Sequence, residues 1–306
     1  MSPSLRLAAV LALAPFAAPA APLVATDIPP VQSITARVME GVGVPQAILP
    51  PGASPHGAAL RPSAARLLSE ADAVIWVGEA LTPWLEGPIE ALATGEVLEL
   101  AGADGVLLLP LRAGGPFEAH DHHAHDDDDH ADNHGAIDAH LWLDPRNGAA
   151  MAAAVAALLA GIDPENAAAY HANAAAFAAE LAGLEADLAA RLAPVAGRPY
   201  IVFHDAYQYF EHRFDLPAAG SVKLGDADQP SAARVAEVRD RIRALDATCV
   251  FTEPQFEPRL VATLTEATGA RSGVLDPLGA TLDPGLELYP GVLTGLADGL
   301  AGCLGP

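Results

Sequence analysis

The sequence predicts an α/β protein made of two βα lobes with parallel sheets, joined by one long helix. Three observations carry this reading. The chain has 306 residues, a length that suits about two domains. Short apolar runs alternate with alanine-rich helical patterns, as βα units require. In the middle, no glycine or proline follows Pro164 until Gly183, and Tyr170, Phe177, Leu181, Leu184, Leu188 and Leu192 recur on one helical face. At 1.5 Å per residue that helix would span about 43 Å, enough to cross both lobes.

The elements follow in chain order. Strands are expected at 23–26, 47–49, 73–77 and 97–100, with helices at 33–40 and 63–70 between them. Pro145 opens an alanine-rich helix to about 160. Asp163-Pro164 then reads as an N-cap with proline at the first helical position of the long helix. In the second half, strands are expected at 200–203, 249–252 and 273–275, with helices at 231–244 and 258–268. The division is 21–160 for the N-terminal lobe, 161–194 for the linking helix and 195–306 for the C-terminal lobe.

Residues 1–20 read as a secretory signal: Arg6, an apolar run over 7–16, and the small-x-small site Ala18-Pro19-Ala20. The alternative, a membrane anchor, is opposed by Pro15, Pro19 and Pro22, and no cysteine follows the run to carry a lipid. An exported location is therefore expected. The charge balance is 16 Lys+Arg against 39 Asp+Glu, a formal −23 with pI near 4.6. So acidic a surface repels phosphate backbones, which argues against nucleic acid as a partner. Two cysteines exclude a disulfide scaffold and any cysteine-rich zinc module. Export permits Cys249 and Cys303 to pair; two buried free thiols are the alternative, and thiol titration of the unfolded, unreduced protein decides between them.

Six of the eleven histidines, His120, His122, His123, His125, His130 and His134, lie with seven acidic residues between Glu118 and His134. Such a segment has too little apolar surface to fold alone, so 114–135 is expected to be a mobile loop. Neutral imidazoles among aspartates suit weak, fast capture of Zn²⁺. A plain solvated charge run is the alternative. Among the other histidines, His56 follows Pro51-Gly52-Ala53-Ser54-Pro55, His140 precedes the alanine-rich helix, and His204 ends an apolar strand. Open α/β sheets bind ligands beyond the carboxyl ends of their strands. Asp276 occupies a matching place, with a helix N-cap before Pro277 as its alternative role. Three imidazoles and one carboxylate suit four-coordinate Zn²⁺. His171 and His212 fall on solvated faces and are set aside.

These motifs come in order: Pro51-Gly52-Ala53-Ser54-Pro55-His56, His140-Leu141-Trp142-Leu143-Asp144-Pro145, Phe203-His204-Asp205-Ala206-Tyr207, Thr252-Glu253-Pro254-Gln255 and Leu275-Asp276-Pro277-Leu278. Together they resemble the metal-binding solute-binding proteins of ABC transporters, in particular the zinc-uptake branch, over nearly all of the mature chain. The resemblance implies a rigid linking helix and a metal site in the interlobe cleft, with His56 and His140 from the first lobe and His204 and Asp276 from the second. His204 stands where manganese-type members carry a carboxylate, and the histidine-rich loop is typical of zinc-type members. Pro55 stands where some members carry a ligating carboxylate, which leaves Asp276 or a water as the fourth ligand. Pairing of Cys249 with Cys303 is also implied. The function implied is periplasmic capture of Zn²⁺ as a transported ligand by a monomer, not an enzyme. Delivery would be to a membrane permease with its cytoplasmic ATPase, and a periplasmic zinc chaperone is a further candidate partner. Imidazoles bind metal only when deprotonated, so affinity should fall below about pH 6. The rivals are an Mn²⁺ or Fe²⁺ carrier of the same family, a zinc-dependent hydrolase, and a secreted buffer or adhesin. Against the hydrolase, the chain has no His-Glu-x-x-His helix.

Overall fold

The computed structural model describes residues 21–112, 117, 137–223, 231–256 and 258–306. The leader expected at 1–20 and the six histidines of the 114–135 segment lie outside the described residues.

The first lobe runs β1 (Val24–Thr26), α1 (Pro29–Val38), β2 (Gln46–Ala47), α2 (Pro62–Glu70), β3 (Ala73–Trp76), α3 (Pro83–Leu92) and β4 (Glu96–Glu99). Its four strands are parallel in the order β2-β1-β3-β4. Then come α4 (Pro145–Ile162) and the long helix α5 (Ala167–Leu192). The second lobe holds β5 (Tyr200–Ile201), α6 (Gln208–Phe214), α7 (Ala232–Leu245), β6 (Cys249–Thr252), α8 (Arg259–Thr268), β7 (Arg271–Val274) and α9 (Leu288–Leu304). Its strands are parallel in the order β5-β6-β7, and a parallel bridge from Val202 to Ser221 adds an edge beside β5.

Period-two alternation explains the layers. Val24, Ala73 and Ile75 of the first sheet face one large core, and so do Tyr200, Cys249 and Phe251 of the second. That core also takes the buried faces of α1, α4, α5 and α9. The opposite side chains, Ala25, Val74 and Trp76, pack on α2 and α3. Ile201 and Val250 pack on α7 and α8. The two lobes thus share their inner core and each closes its outer face separately.

The long helix forms with the predicted face: Tyr170, Phe177, Leu181, Leu188 and Leu192 are buried and Leu184 is partly so. It starts later than the sequence suggested. Pro164–Asn166 is a 3₁₀ turn, and the Asp163 carboxylate receives Asn166 Nδ2 at 2.8 Å and Tyr170 Oη at 2.7 Å. The α-helical part is 26 residues, about 39 Å. Helix α1 starts at Pro29 rather than 33, because Pro29 and Pro30 preset φ in its first turn. Helices α3, α6 and α9 were not read from the sequence. In α9 the four glycines Gly291, Gly295, Gly299 and Gly302 look like breakers; a Cβ at Gly299 would sit 2.5 Å from the Val274 carbonyl, so glycine there lets the helix lie against β7. Cys303 of α9 is bonded to Cys249, the first residue of β6, with Cα atoms 6.2 Å apart. The bridge closes a 54-residue separation, worth about 4 kcal/mol in the chain-entropy model.

Buried polar groups stitch the lobes across the seam. Tyr289 Oη of α9 donates to the Trp142 carbonyl at 2.7 Å, and Trp142 Nε1 donates to the Pro277 carbonyl at 2.8 Å. Arg213 of α6 forks onto Asp144 at 2.9 and 2.6 Å, and Asp144 is fully buried at the N-cap of α4. Arg112 reaches from the first lobe to Asp205 and Glu211. Burial pushes the Glu211 carboxyl up, against the pull of the Arg112 guanidinium.

Candidate metal centre

His56, His140 and His204 come together at the carboxyl ends of both sheets, where the lobes meet. Each arrives by a different route. The chain leaves β2 into Pro50-Pro51-Gly52, where Gly52 takes φ +79°, a conformation glycine adopts without strain. Ala53 N bonds back to the Pro50 carbonyl at 3.2 Å, and Trp84 Nε1 of α3 clamps the Pro55 carbonyl at 2.6 Å. These contacts hold up the half-buried His56. Beneath this loop lies Asp27, just past β1. Its main-chain oxygen receives Leu49 N at 2.9 Å, and its carboxylate receives Ile28 N and Val77 N, each at 2.8 Å. Complete burial pushes the Asp27 carboxyl up to about 7 despite those two N–H donors.

His140 precedes a 3₁₀ turn at Leu141–Leu143 that leads into α4. Asp138 Oδ1 accepts from both its backbone N, at 2.9 Å, and its ring Nδ1, at 2.8 Å. A carboxylate can only accept, so the ring proton sits on Nδ1 and the Nε2 lone pair is free for a metal. Asp138 itself is fixed by Leu109 O on its amide and by Tyr209 Oη on its carbonyl, at 2.9 and 2.8 Å. His204 follows β5, with Glu253 Oε1 2.6 Å from its Nδ1. His140 and His204 are 7% and 5% exposed.

The spacing carries the chemical conclusion. His140 Nε2 lies 3.3 Å from His56 Nε2 and 3.4 Å from His204 Nε2, and the ligand atoms of all three lie within 4.8 Å of one another. Four ligands placed tetrahedrally at about 2.0–2.1 Å from a Zn²⁺ ion are separated by about 3.3–3.4 Å. Two edges of the cluster therefore already have the length that a tetrahedral nitrogen site needs. A small cavity of about 10 Å³ opens at the cluster, bounded also by Trp142, Glu253, Gln255 and Phe256.

Asp276 is placed differently from the three imidazoles. It follows β7, but its carboxylate is taken up by its own turn, accepting Ala280 N, Thr281 N and Thr281 Oγ1, each at 3.0 Å. It belongs neither to the three-histidine group nor to the pocket wall. The donors four and five residues ahead hold that carboxylate within its own turn. His171 and His212 are exposed, in keeping with their exclusion. Sequence reasoning gave no role to Asp138 or Glu253. The signal for Asp138 was its position two residues before His140; for Glu253 it was the end of the strand that neighbours His204.

The family described as "ZnuA: Zinc-uptake complex component A periplasmic" matches residues 24–303. A protein of Brucella abortus (strain 2308) named high-affinity zinc uptake system protein ZnuA is 45% identical over 304 residues, covering 92% of this chain and 91% of that one. Its namesake from Paracoccus denitrificans (strain Pd 1222) is 42% identical over 325 residues, covering 99% and 98%. Among solved structures, a crystal structure of ZnuA superposes with a TM-score of 0.77 at 26% identity, covering 93% of this chain and 99% of that one. A zinc-bound ZnuA carrying a 138–173 deletion gives 0.76 at 27% identity, covering 94% and 99%.

Proposed function

This chain belongs to the ZnuA family of periplasmic zinc-uptake components, and we propose that His56, His140 and His204 are the ligands with which it captures Zn²⁺. The protein is the zinc-binding solute-binding component of an ABC transporter, and zinc is its cargo. The observation that carries the site is the convergence of three Nε2 atoms, two pairs of them 3.3 and 3.4 Å apart, from both lobes. Three neutral imidazoles favour zinc over the harder manganese. With Asp276 held by its own turn, the fourth position belongs to a water, and Asp276 enters only if that turn unwinds.

The finer parts of the reading go with this site. The leader is removed near Ala20, the mature chain works as a monomer in the periplasm, and the lobes divide at 21–160 and 195–306 about the 161–194 helix. The six histidines between His120 and His134 offer weaker secondary sites that raise the local zinc concentration. A membrane permease with its ATPase receives the ion, and a zinc chaperone is a further partner. The seam of buried ion pairs and tyrosine bonds opposes wide hinge opening, so release requires the permease to distort the cluster. The test is zinc titration of the mature chain with and without residues 115–135. One tight zinc retained by the shortened chain supports the cluster as the primary site; loss of all binding transfers the function to the deleted segment.

A further inference from the structure

We propose that Glu253 is a positioning residue for zinc: it fixes the ring orientation and tautomer of His204 and strengthens its Nε2 as a donor. This rests on the three-histidine cluster being the zinc site. Strands β5 and β6 are parallel neighbours with Ile201 opposite Val250. Three residues further along each strand stand His204 and Glu253, so the register itself brings them together across 49 residues of sequence. Glu253 Oε1 lies 2.6 Å from His204 Nδ1, and Glu253 is 2% exposed. An ionised carboxylate offers no proton, so the one proton of a neutral imidazole is drawn to Nδ1. The lone pair is left on Nε2, the atom 3.4 Å from His140 Nε2.

Packing does not account for this carboxylate. Its other oxygen, Oε2, is buried with no hydrogen-bond partner among the described residues. A buried acceptor left unsatisfied is costly, and an apolar side chain would fill the space without that cost. Asp138 is different, because its oxygen also holds the backbone of its own loop. Among the described residues the Glu253 carboxylate bonds only the ring. Phe256, whose ring centre lies 5.8 Å from that of His204, limits how far the imidazole can turn but does not choose its tautomer. A carboxylate behind a ligating histidine raises the basicity of that ligand, and losing such a partner typically weakens metal binding 10–100-fold.

The experiment uses the mature chain and zinc alone. Affinity is measured by competition with a chromophoric chelator, and the His204 tautomer is read in the metal-free protein from its ring ¹⁵N shifts. Glu253→Ala is expected to weaken zinc about 10–100-fold and to populate the Nε2–H tautomer of His204. Glu253→Gln keeps shape and acceptor but drops the charge. It should retain the Nδ1–H tautomer and lose about tenfold, and it serves as the readout if the alanine variant fails to fold. In a His204→Ala background Glu253→Ala should cost nothing more. Wild-type affinity in both Glu253 variants, or an unchanged tautomer in Glu253→Ala, overturns the proposal while the cluster stands, provided that His204→Ala alone weakens binding. Unchanged affinity in His204→Ala overturns the cluster and this proposal with it.

Discussion

The three imidazoles stand on two kinds of ground. His140 and His204 sit in a buried seam where each ring is backed by a carboxylate and the surrounding backbone is tied to the opposite lobe. His56 rides on a proline- and glycine-bounded loop at the rim, half-buried and clamped chiefly through the Pro55 carbonyl by Trp84. The difference is one of anchorage: a buried carboxylate holds each seam ring directly, whereas His56 is held through the backbone of its loop.

The seam can be broken at its most buried ion pair. Arg213→Ala strands the fully buried Asp144 carboxylate, and the loss of one partner of such a pair costs about 3–5 kcal/mol. Urea unfolding should show that fall; a loss under about 1 kcal/mol would mean that the pair is no more than a surface bridge. Next in size is a seam ligand. Zinc sites with four ligands contribute about 10–16 kcal/mol, or roughly 2.5–4 per ligand. His140→Ala should therefore weaken zinc by several hundred-fold in a chelator competition, and a loss below about tenfold would contradict a seam-fixed ion.

Asp27 tests the footing of the rim. Its carboxyl is pushed up to about 7, above the ordinary 3.8, by burial. Between those values the folded protein holds a proton that the unfolded chain has released. Its stabilising contribution is thus complete below about pH 4 and lost as pH rises through about 7, a swing on the order of a few kcal/mol. The stability difference between the wild type and Asp27→Asn should move against the wild type across that window, measured by urea unfolding at pH 4.5 and 8. A difference that stays constant with pH would remove Asp27 as a buried acid. The smallest effect belongs to the rim clamp. Trp84→Phe deletes the N–H to Pro55 and should raise the zinc dissociation rate about fivefold, corresponding to about 1 kcal/mol for one hydrogen bond. An unchanged rate would show that the loop holds its shape without the clamp.

How far the sequence reached depends on whether a feature is local. The alternation of strands and helices and the apolar face of α5 are local patterns, and both appear in the structure. His56, His140 and His204 were legible because each lies next to a strand end or a turn that a βα fold aims at its cleft. Glu253 was visible as a motif residue but had no role, because its partner is set by the β5–β6 register, which no local pattern reveals. The bonds that Asp276 makes within its own turn were hidden for the same reason. Its three donors, from Ala280 and Thr281, gather around it only once the turn is folded. Helix α9 escaped notice because its four glycines look like breakers, although Gly299 serves close packing on β7.

The most direct test of the central claim is a crystal structure of the mature, zinc-loaded chain with anomalous data collected at the zinc edge. One strong anomalous peak should stand about 2.0–2.1 Å from the Nε2 atoms of His56, His140 and His204 together. A peak bound by fewer than two of those nitrogens, or a sole peak elsewhere on the chain, would contradict the account.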